Sequence, residues 1–73
     1  MATSVPAHIT GTVWKIEAKV GDVVTEGQTL VILESMKMEM PVESPCAVKV
    51  TAVLVREGQA VDEGAPLVEV TPG

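Results

Sequence analysis

Polar and apolar residues alternate near the start of the chain with a period of two. Trp14, Ile16, Ala18 and Val20 alternate with Lys15, Glu17 and Lys19. This period is expected of a β-strand with one buried face, because successive side chains point to opposite sides. Alternation and Val-rich runs predict strands at Thr12–Lys19, Gln28–Glu34, Met38–Glu43, Val48–Val55 and Pro66–Val70. No window combines a helical period with capping residues, so the pattern predicts an all-β chain.

The apolar pattern occurs twice, at an offset of 37 residues. Val13, Gly21, Val24, Glu26, Gly27, Leu30 and Val31 are identical to Val50, Gly58, Val61, Glu63, Gly64, Leu67 and Val68. The aligned glycines suit turns, where a positive φ is free of strain only for Gly. We therefore predict two similar β-units at residues 11–34 and 48–71. A unit of this size cannot bury its own apolar face, so the two units are expected to share one core.

The composition agrees with a single β-domain that spans residues 1–73. Hydrophobic residues make up 47% of the chain, with no Phe or Tyr and one Trp. The chain is rich in Val, whose branched Cβ favours strands. Two short sheets in a flattened sandwich or barrel would bury these residues economically, and we expect Trp14 to lie in that core.

The charges and the single cysteine disfavour several classes of protein. The net charge is −5 and the basic residues are scattered, whereas a nucleic-acid site normally has a basic patch. No apolar run approaches the length of a membrane span, and no secretory signal follows Met1. His8 and Cys46 have no catalytic or metal-binding partners at suitable spacing, and Cys46 cannot form an internal disulfide. We therefore expect a cytoplasmic protein with no nucleic-acid or membrane partner, no metal site and no catalytic residues.

The two β-units are joined by a segment that is rich in methionine, residues 35–41. Its place between two predicted strands indicates a hairpin with its tip at residues 35–38. The tip contains no Gly or Asn, which turns with positive φ prefer, so a turn of another type is expected. If the extended alternation continued, Lys37 would point away from the side of Met36 and Met38. We expect Met36, Met38 and Met40 both to pack the tip and to face a partner.

The segment Glu34-Ser35-Met36-Lys37-Met38-Glu39 resembles the attachment signature of biotinyl domains, Glu-Ala-Met-Lys-Met. The likeness includes Gly11-Thr12-Val13, Gly21-Asp22, Gly27-Gln28, Gly58, Gly64 and Leu67, and extends from about Ala7 to Val70. Met-Lys-Met alone is a weak signal, but its position between two matching β-units makes it a strong one. The chain thus resembles the biotin carboxyl carrier domains of the biotin/lipoyl attachment family.

The resemblance implies a function for the hairpin lysine. Lys37 would carry a covalent biotin attached by a biotin protein ligase, and Glu34, Met36, Met38 and Glu39 would form the flank that the ligase recognises. For the two glutamates, a role as solvated rim charges is the alternative. The biotin would shuttle carboxyl groups between the biotin carboxylase and carboxyltransferase sites of a carboxylase, with the acyl-CoA type favoured. The implied fold is a barrel-sandwich hybrid, two small antiparallel sheets related by a pseudo-twofold axis.

The residues agree with a carrier that another enzyme modifies. A lysine amine attacks an acyl group only when it is deprotonated, and ordinary lysines are protonated at neutral pH. An exposed tip gives the amine no activation of its own, so we expect activation through an acyl-adenylate held by the ligase. The domain would then be a substrate and a carrier without catalytic residues.

Two residues depart from the pattern of biotinyl domains. Ser35 stands where Ala is usual, a small change. Val48 stands where the second unit normally has Gly, as Gly11 does in the first. If that position required a positive φ, a β-branched residue would be strained there. The resemblance therefore leaves the geometry of residues 45–48 open.

Two other functions compete with the biotin carrier. A lipoyl carrier has a similar fold, but its tip usually reads Asp-Lys followed by Ala or Val, whereas this chain has Met36-Lys37-Met38. Unmodified hammerhead adaptor modules typically lack the hairpin lysine and lie between long helices. The local residues favour biotin over both, and they leave open the acceptor substrate and whether the chain is free-standing or part of a larger carboxylase.

Overall fold

The computed structural model describes residues 3–72 of the chain. These residues contain eight β-strands and no helix. The strands are β1 (Thr3–Pro6), β2 (Gly11–Ile16), β3 (Val23–Val24), β4 (Thr29–Ser35), β5 (Met38–Glu43), β6 (Val48–Val53), β7 (Ala60–Val61) and β8 (Pro66–Pro72). The five predicted strands are confirmed as β2, β4, β5, β6 and β8. β5 has the predicted bounds, and the other four differ at one or both ends. β1, β3 and β7 have no counterpart in the predicted pattern. None of these residues forms a helix that could cross a membrane.

The strands form two antiparallel sheets of four strands each. Sheet I has the strand order β5-β4-β2-β7, and sheet II has the order β1-β8-β6-β3. An offset of 37 residues converts β2, β3 and β4 into β6, β7 and β8, and maps β1 onto part of β5. The register shifts between Val13 and Lys15 in β2, and at the equivalent place between Val50 and Ala52 in β6. The predicted pair of small sheets related by pseudo-twofold symmetry is confirmed.

Each β-unit contributes one short strand to the sheet of the other unit. β3 pairs with β6, and β7 pairs with β2. Gly21 and Gly58, both with positive φ, donate backbone hydrogen bonds to the carbonyl oxygens of Val50 and Val13 in the opposite unit. Neither unit therefore has a complete sheet without the other, which agrees with the expected shared core.

The core is aliphatic and lies between the sheets. Its largest fully buried side chains are Leu30, Leu33, Leu67, Val13, Val24, Val31, Val50 and Val68. Trp14 is 45% exposed, so the prediction that it lies in the core is wrong. The register shift makes Trp14 the extra residue of a β-bulge. Because Val13 before it points into the core, Trp14 points to the outer face of sheet I.

Val48 fits the fold without backbone strain. Among the described residues other than glycine, only Met36 and Lys37 have a positive φ, so the conformation at Val48 is open to a β-branched residue. The side chain of Val48 lies in the core and is 3% exposed. At the equivalent Gly11, a Cβ would meet the backbone oxygen of Glu34 at 2.6 Å. The two equivalent positions thus differ in the space around them.

The β4–β5 connection lies at the opposite end of the molecule from the first residue of β1 and the last residue of β8. β5 leads away from the connection, and β6 begins at the far end, where Val48 pairs with Pro72 of β8. Thr3 of β1 pairs with Val70 at that same end. The long dimension is 34 Å, and the other two are 18 and 17 Å. The connection therefore projects from one end of an elongated body.

Candidate functional site

Met36 and Lys37 form a two-residue turn between β4 and β5. Ser35 pairs with Met38 just below the turn, and antiparallel pairing continues along both strands. The φ angles of Met36 and Lys37 are 52° and 64°. Positive φ at both central residues is characteristic of a type I′ turn. The tip is therefore a turn of this type, and the prediction of another turn type is wrong.

The strands impose this turn against the preference of its residues. Gly favours positive φ because it has no Cβ to crowd the backbone, and Asn tolerates it because its short polar side chain can hydrogen-bond locally. A hairpin with a two-residue loop, however, needs a turn whose twist matches that of its strands, and type I′ provides it. Both Met36 and Lys37 consequently adopt the left-handed conformation, and the extended alternation expected through the tip does not occur.

The side chains of the turn are directed into solvent. Lys37 is exposed, Met36 is 91% exposed and Met38 is 58% exposed. The prediction that these two methionines pack the tip is therefore wrong. Met40 is half-buried and pairs with Leu33 of β4. The turn thus presents an amine beside two exposed thioether side chains.

Two glutamates face each other directly below the turn. Glu34 and Glu39 are paired residues of β4 and β5, and both are exposed. The one ion pair within residues 3–72 joins Lys15 and Glu17, at 3.7 Å between Nζ and Oε1. The two glutamates therefore have no counter-ion among those residues, although opposed like charges destabilise a sheet. The structure brings all five predicted site residues together: Glu34, Met36, Lys37, Met38 and Glu39 lie on one hairpin.

Gly11 supports the hairpin from the neighbouring strand. Its Cα lies so close to β4 that an added Cβ would be 2.6 Å from the Glu34 carbonyl oxygen and 3.4 Å from the Ser35 Cβ. Thr12 pairs with Glu34 on one side and with Ala60 of β7 on the other. Residue types alone did not reveal this role, and the recurrence of Gly11-Thr12-Val13 in biotinyl domains was the available signal.

The other reactive side chains lie outside the hairpin tip. His8 and Cys46 line a groove of about 500 Å³ between β1 and β5, the edge strands on one side of the two sheets. None of residues 34–40 lines this groove. The Cys46 thiol is free and its residue is exposed. Within residues 3–72, no three His, Cys, Asp or Glu side chains lie close enough together to hold a metal ion.

Known proteins are similar to this chain in sequence and in fold. The family model of the biotin-requiring enzymes, which covers biotin and lipoyl attachment, matches residues 1–70. The chain belongs to this family. It is 42% identical over 69 residues to a biotin carboxyl carrier protein of Streptococcus mutans, covering 94% of this chain and 53% of that protein. It is 40% identical over 68 residues to the biotin/lipoyl attachment protein of Bacillus subtilis, covering 93% of each.

A solved structure has the same arrangement of strands. The structure of a single-chain, multi-domain long-chain acyl-CoA carboxylase matches with a TM-score of 0.94 and 36% identity. The match covers 99% of this chain and 7% of the carboxylase chain. The chain thus spans about half of its Streptococcus relative and a small part of the carboxylase. In this family the fold occurs both in short proteins and inside large enzymes.

Proposed function

We propose that this chain is a biotin carboxyl carrier domain and that Lys37 is the residue to which biotin is attached. The observation that carries the proposal is the position of Lys37, exposed in a two-residue turn at one end of an elongated β-body. Covalent attachment needs an accessible primary amine on a side chain that no internal ion pair holds. Lys37 meets this requirement, because the one ion pair of residues 3–72 involves Lys15 instead.

Attachment forms an amide bond between the Lys37 Nζ and the carboxyl carbon of biotin. The neutral amine attacks an activated acyl group, the activating group leaves, and the amine loses a proton. Glu34 and Glu39 face each other across the hairpin below the turn. We assign the activation to a biotin protein ligase that holds biotinyl-adenylate, with Glu34, Met36, Met38 and Glu39 as the flank that the ligase contacts.

The domain itself acts as a carrier and supplies no catalytic residue. When attached, biotin would supply carboxyl transfer between a biotin carboxylase site and a carboxyltransferase site, in a carboxylase of the acyl-CoA type. The β-body holds the tether point at one end of a 34 Å axis. Tethering raises the local concentration of a carried group at each active site. The single cysteine provides no disulfide framework of the kind that small secreted domains carry, so we assign the protein to the cytoplasm.

The lipoyl alternative is less well supported at the tip. Methionines precede and follow Lys37 where lipoyl carriers usually have Asp and a small apolar residue. The net charge of −5 and the scattered basic residues give no support to a nucleic-acid partner. We therefore propose biotin as the functional ligand. We propose neither a nucleic acid nor a membrane as a partner.

Lys37→Arg is expected to abolish labelling without unfolding the domain. Arginine keeps the charge, but its guanidinium stays protonated and does not form the amide. The chain is incubated with ATP, biotin and a biotin protein ligase, and intact mass reports one added biotinyl group on the wild type and none on the variant. Lys49→Arg, at another exposed lysine, is the matched control and is expected to be labelled fully. Equal labelling of Lys37→Arg, or lipoate in place of biotin on the native protein, would refute the proposal.

A further inference from the structure

The outer faces of the two sheets differ although the sheets are related by symmetry. The outer face of sheet I carries Trp14, Ile32 and Pro41, and the equivalent positions of sheet II hold Thr51, Glu69 and Ser4. At these three positions the same backbone is apolar on sheet I and polar on sheet II, whereas at the equivalent pair Lys15 and Ala52 the charged residue is on sheet I. Because folding alone tolerates polar residues at these positions of sheet II, the apolar residues of sheet I call for another explanation.

These three residues form one patch, which we name the outer patch. Ile32 of β4 pairs with Pro41 of β5 on one side and with Lys15 of β2 on the other, and Trp14 precedes Lys15 in the bulge. Trp14 is 45% exposed, Pro41 is exposed and Ile32 is half-buried. Single exposed apolar residues are common, but a group that spans three strands beside a functional tip is typical of an interaction surface.

The outer patch lies in line with Lys37. The Ile32–Pro41 pair is three residue steps from the Ser35–Met38 pair below the turn, which corresponds to about 10 Å along the strands. The Glu34–Glu39 pair lies between them, and by alternation its side chains are on the same face as Ile32 and Pro41. From the turn downward, the hairpin therefore presents the Lys37 amine at its tip. Two carboxylates follow on the outer face, and then the apolar patch with Lys15 beside it.

We infer that the outer patch is a docking surface for the enzyme that acylates Lys37, an inference that rests on the proposed function. An extended lysine side chain reaches only about 6 Å from Cα to Nζ, from ordinary bond lengths. The active site of the acylating enzyme must come that close to the turn, so its surface meets the adjacent face of sheet I. Once biotin lengthens the arm, later partners no longer need such close approach.

The area and the charges agree with this partner. A standard interface covers about 800 Å² on each side, close to a fifth of the 4478 Å² surface of this domain. The residues of the turn are too few to supply that area. Glu34 and Glu39 have no counter-ion within residues 3–72, and an enzyme that holds an anionic acyl-adenylate presents basic groups near its active site. Trp is among the residues most often found at the energetic centre of interfaces.

Trp14→Thr/Ile32→Thr is expected to weaken docking while leaving the chemistry intact. Thr is the residue that sheet II has at the position equivalent to Trp14, so the fold tolerates it there. Initial rates of biotinylation, measured against domain concentration, are expected to show KM raised about tenfold with kcat changed less than about twofold. Val20→Thr/Val23→Thr removes exposed apolar residues from the far end of the body, and this control is expected to keep the wild-type KM.

A second readout does not depend on turnover. The chain has one Trp, so its indole N–H gives a single NMR signal. In a ¹⁵N-labelled Lys37→Arg domain, which is not consumed, unlabelled ligase is expected to shift or broaden this signal. Unchanged KM in the patch variant together with an unperturbed indole signal would overturn the inference, as would an equal loss in the control. Failure of the wild type to be labelled at all would instead refute the proposed function.

Discussion

Met36 and Lys37 are the two residues other than glycine with positive φ in the described chain, and they form the tip of the hairpin. Such residues cost about 1–3 kcal/mol each and persist only where the surrounding structure enforces them. The paired strands β4 and β5 enforce them here. The turn conformation directs both side chains out of the body and so exposes the amine that we propose is modified.

Met36→Asn is expected to stabilise the domain by about 0.5–1 kcal/mol, because Asn tolerates the left-handed conformation. Urea unfolding followed by circular dichroism measures the change in free energy. Met38→Asn is the matched control, since Met38 is a neighbouring exposed methionine in a strand with ordinary φ. A gain of the same size in the control would show that positive φ at Met36 is not the cause.

At the residue scale, the sequence predicted which residues lie together better than it predicted their conformation. The motif and its place between two repeats grouped Lys37 with four flanking residues, and these five residues lie together on the hairpin. Their role in attachment is the function proposed above. The turn type was missed because the residue preferences of Met and Lys are weaker than the twist of the paired strands. Trp14 was misplaced because a β-bulge cannot be read from an alternating pattern.

At the scale of the elements, β2 and β6 are equivalent strands that begin differently. β2 begins at Gly11, where the carbonyl of Glu34 leaves no room for a Cβ. β6 begins at Val48, whose side chain is buried in the core. The missing Cβ of Gly11 lets β2 lie close to β4, the strand that leads into the turn. At the far end of the body, the side chain of Val48 fits at the equivalent position.

Gly11→Ala is expected to cost about 1–3 kcal/mol, because the added methyl group meets backbone rather than a movable side chain. Val48→Gly is expected to destabilise as well, through loss of a buried side chain and added freedom of the unfolded chain. Chemical denaturation of both variants tests the pair. If Gly11→Ala were as stable as wild type, the close contact with Glu34 would not constrain the hairpin.

The long strands were predictable and the short ones were not. β4 and β8 follow runs of apolar residues, and β5 was predicted as the extended stretch that follows the hairpin tip. β3 and β7 contain two residues each, too few to show a period. They exist because each pairs with a strand of the opposite unit, and such long-range pairing leaves no local pattern.

At the scale of the whole molecule, stability is shared between two halves that complete each other's sheets. Leu30 and Leu67 are equivalent by symmetry, and both are fully buried. Because each half contributes a strand to the sheet of the other, neither half forms a complete sheet alone. Unfolding is therefore expected to be a single cooperative transition, as in most small domains.

Leu30→Ala and Leu67→Ala are each expected to cost about 2–5 kcal/mol through lost burial and the cavity left behind. Because their backbone positions are equivalent and both side chains are fully buried, the two losses should agree within about 1 kcal/mol. Urea unfolding gives both values, with Leu54→Ala as a control at a partly exposed leucine. A large difference between the losses for Leu30→Ala and Leu67→Ala would mean that equivalent backbone positions contribute unequally to the free energy of unfolding.

The edge strands of both sheets affect whether the domain aggregates when many copies are close together. Four strands lie at the edges of the sheets. β1 ends at Pro6, β5 contains Pro41, and β3 and β7 are only two residues long. Proline offers no N–H for pairing, and so short a strand offers little template for a neighbour. Many copies of this body can therefore be concentrated side by side without their sheets fusing into fibrils.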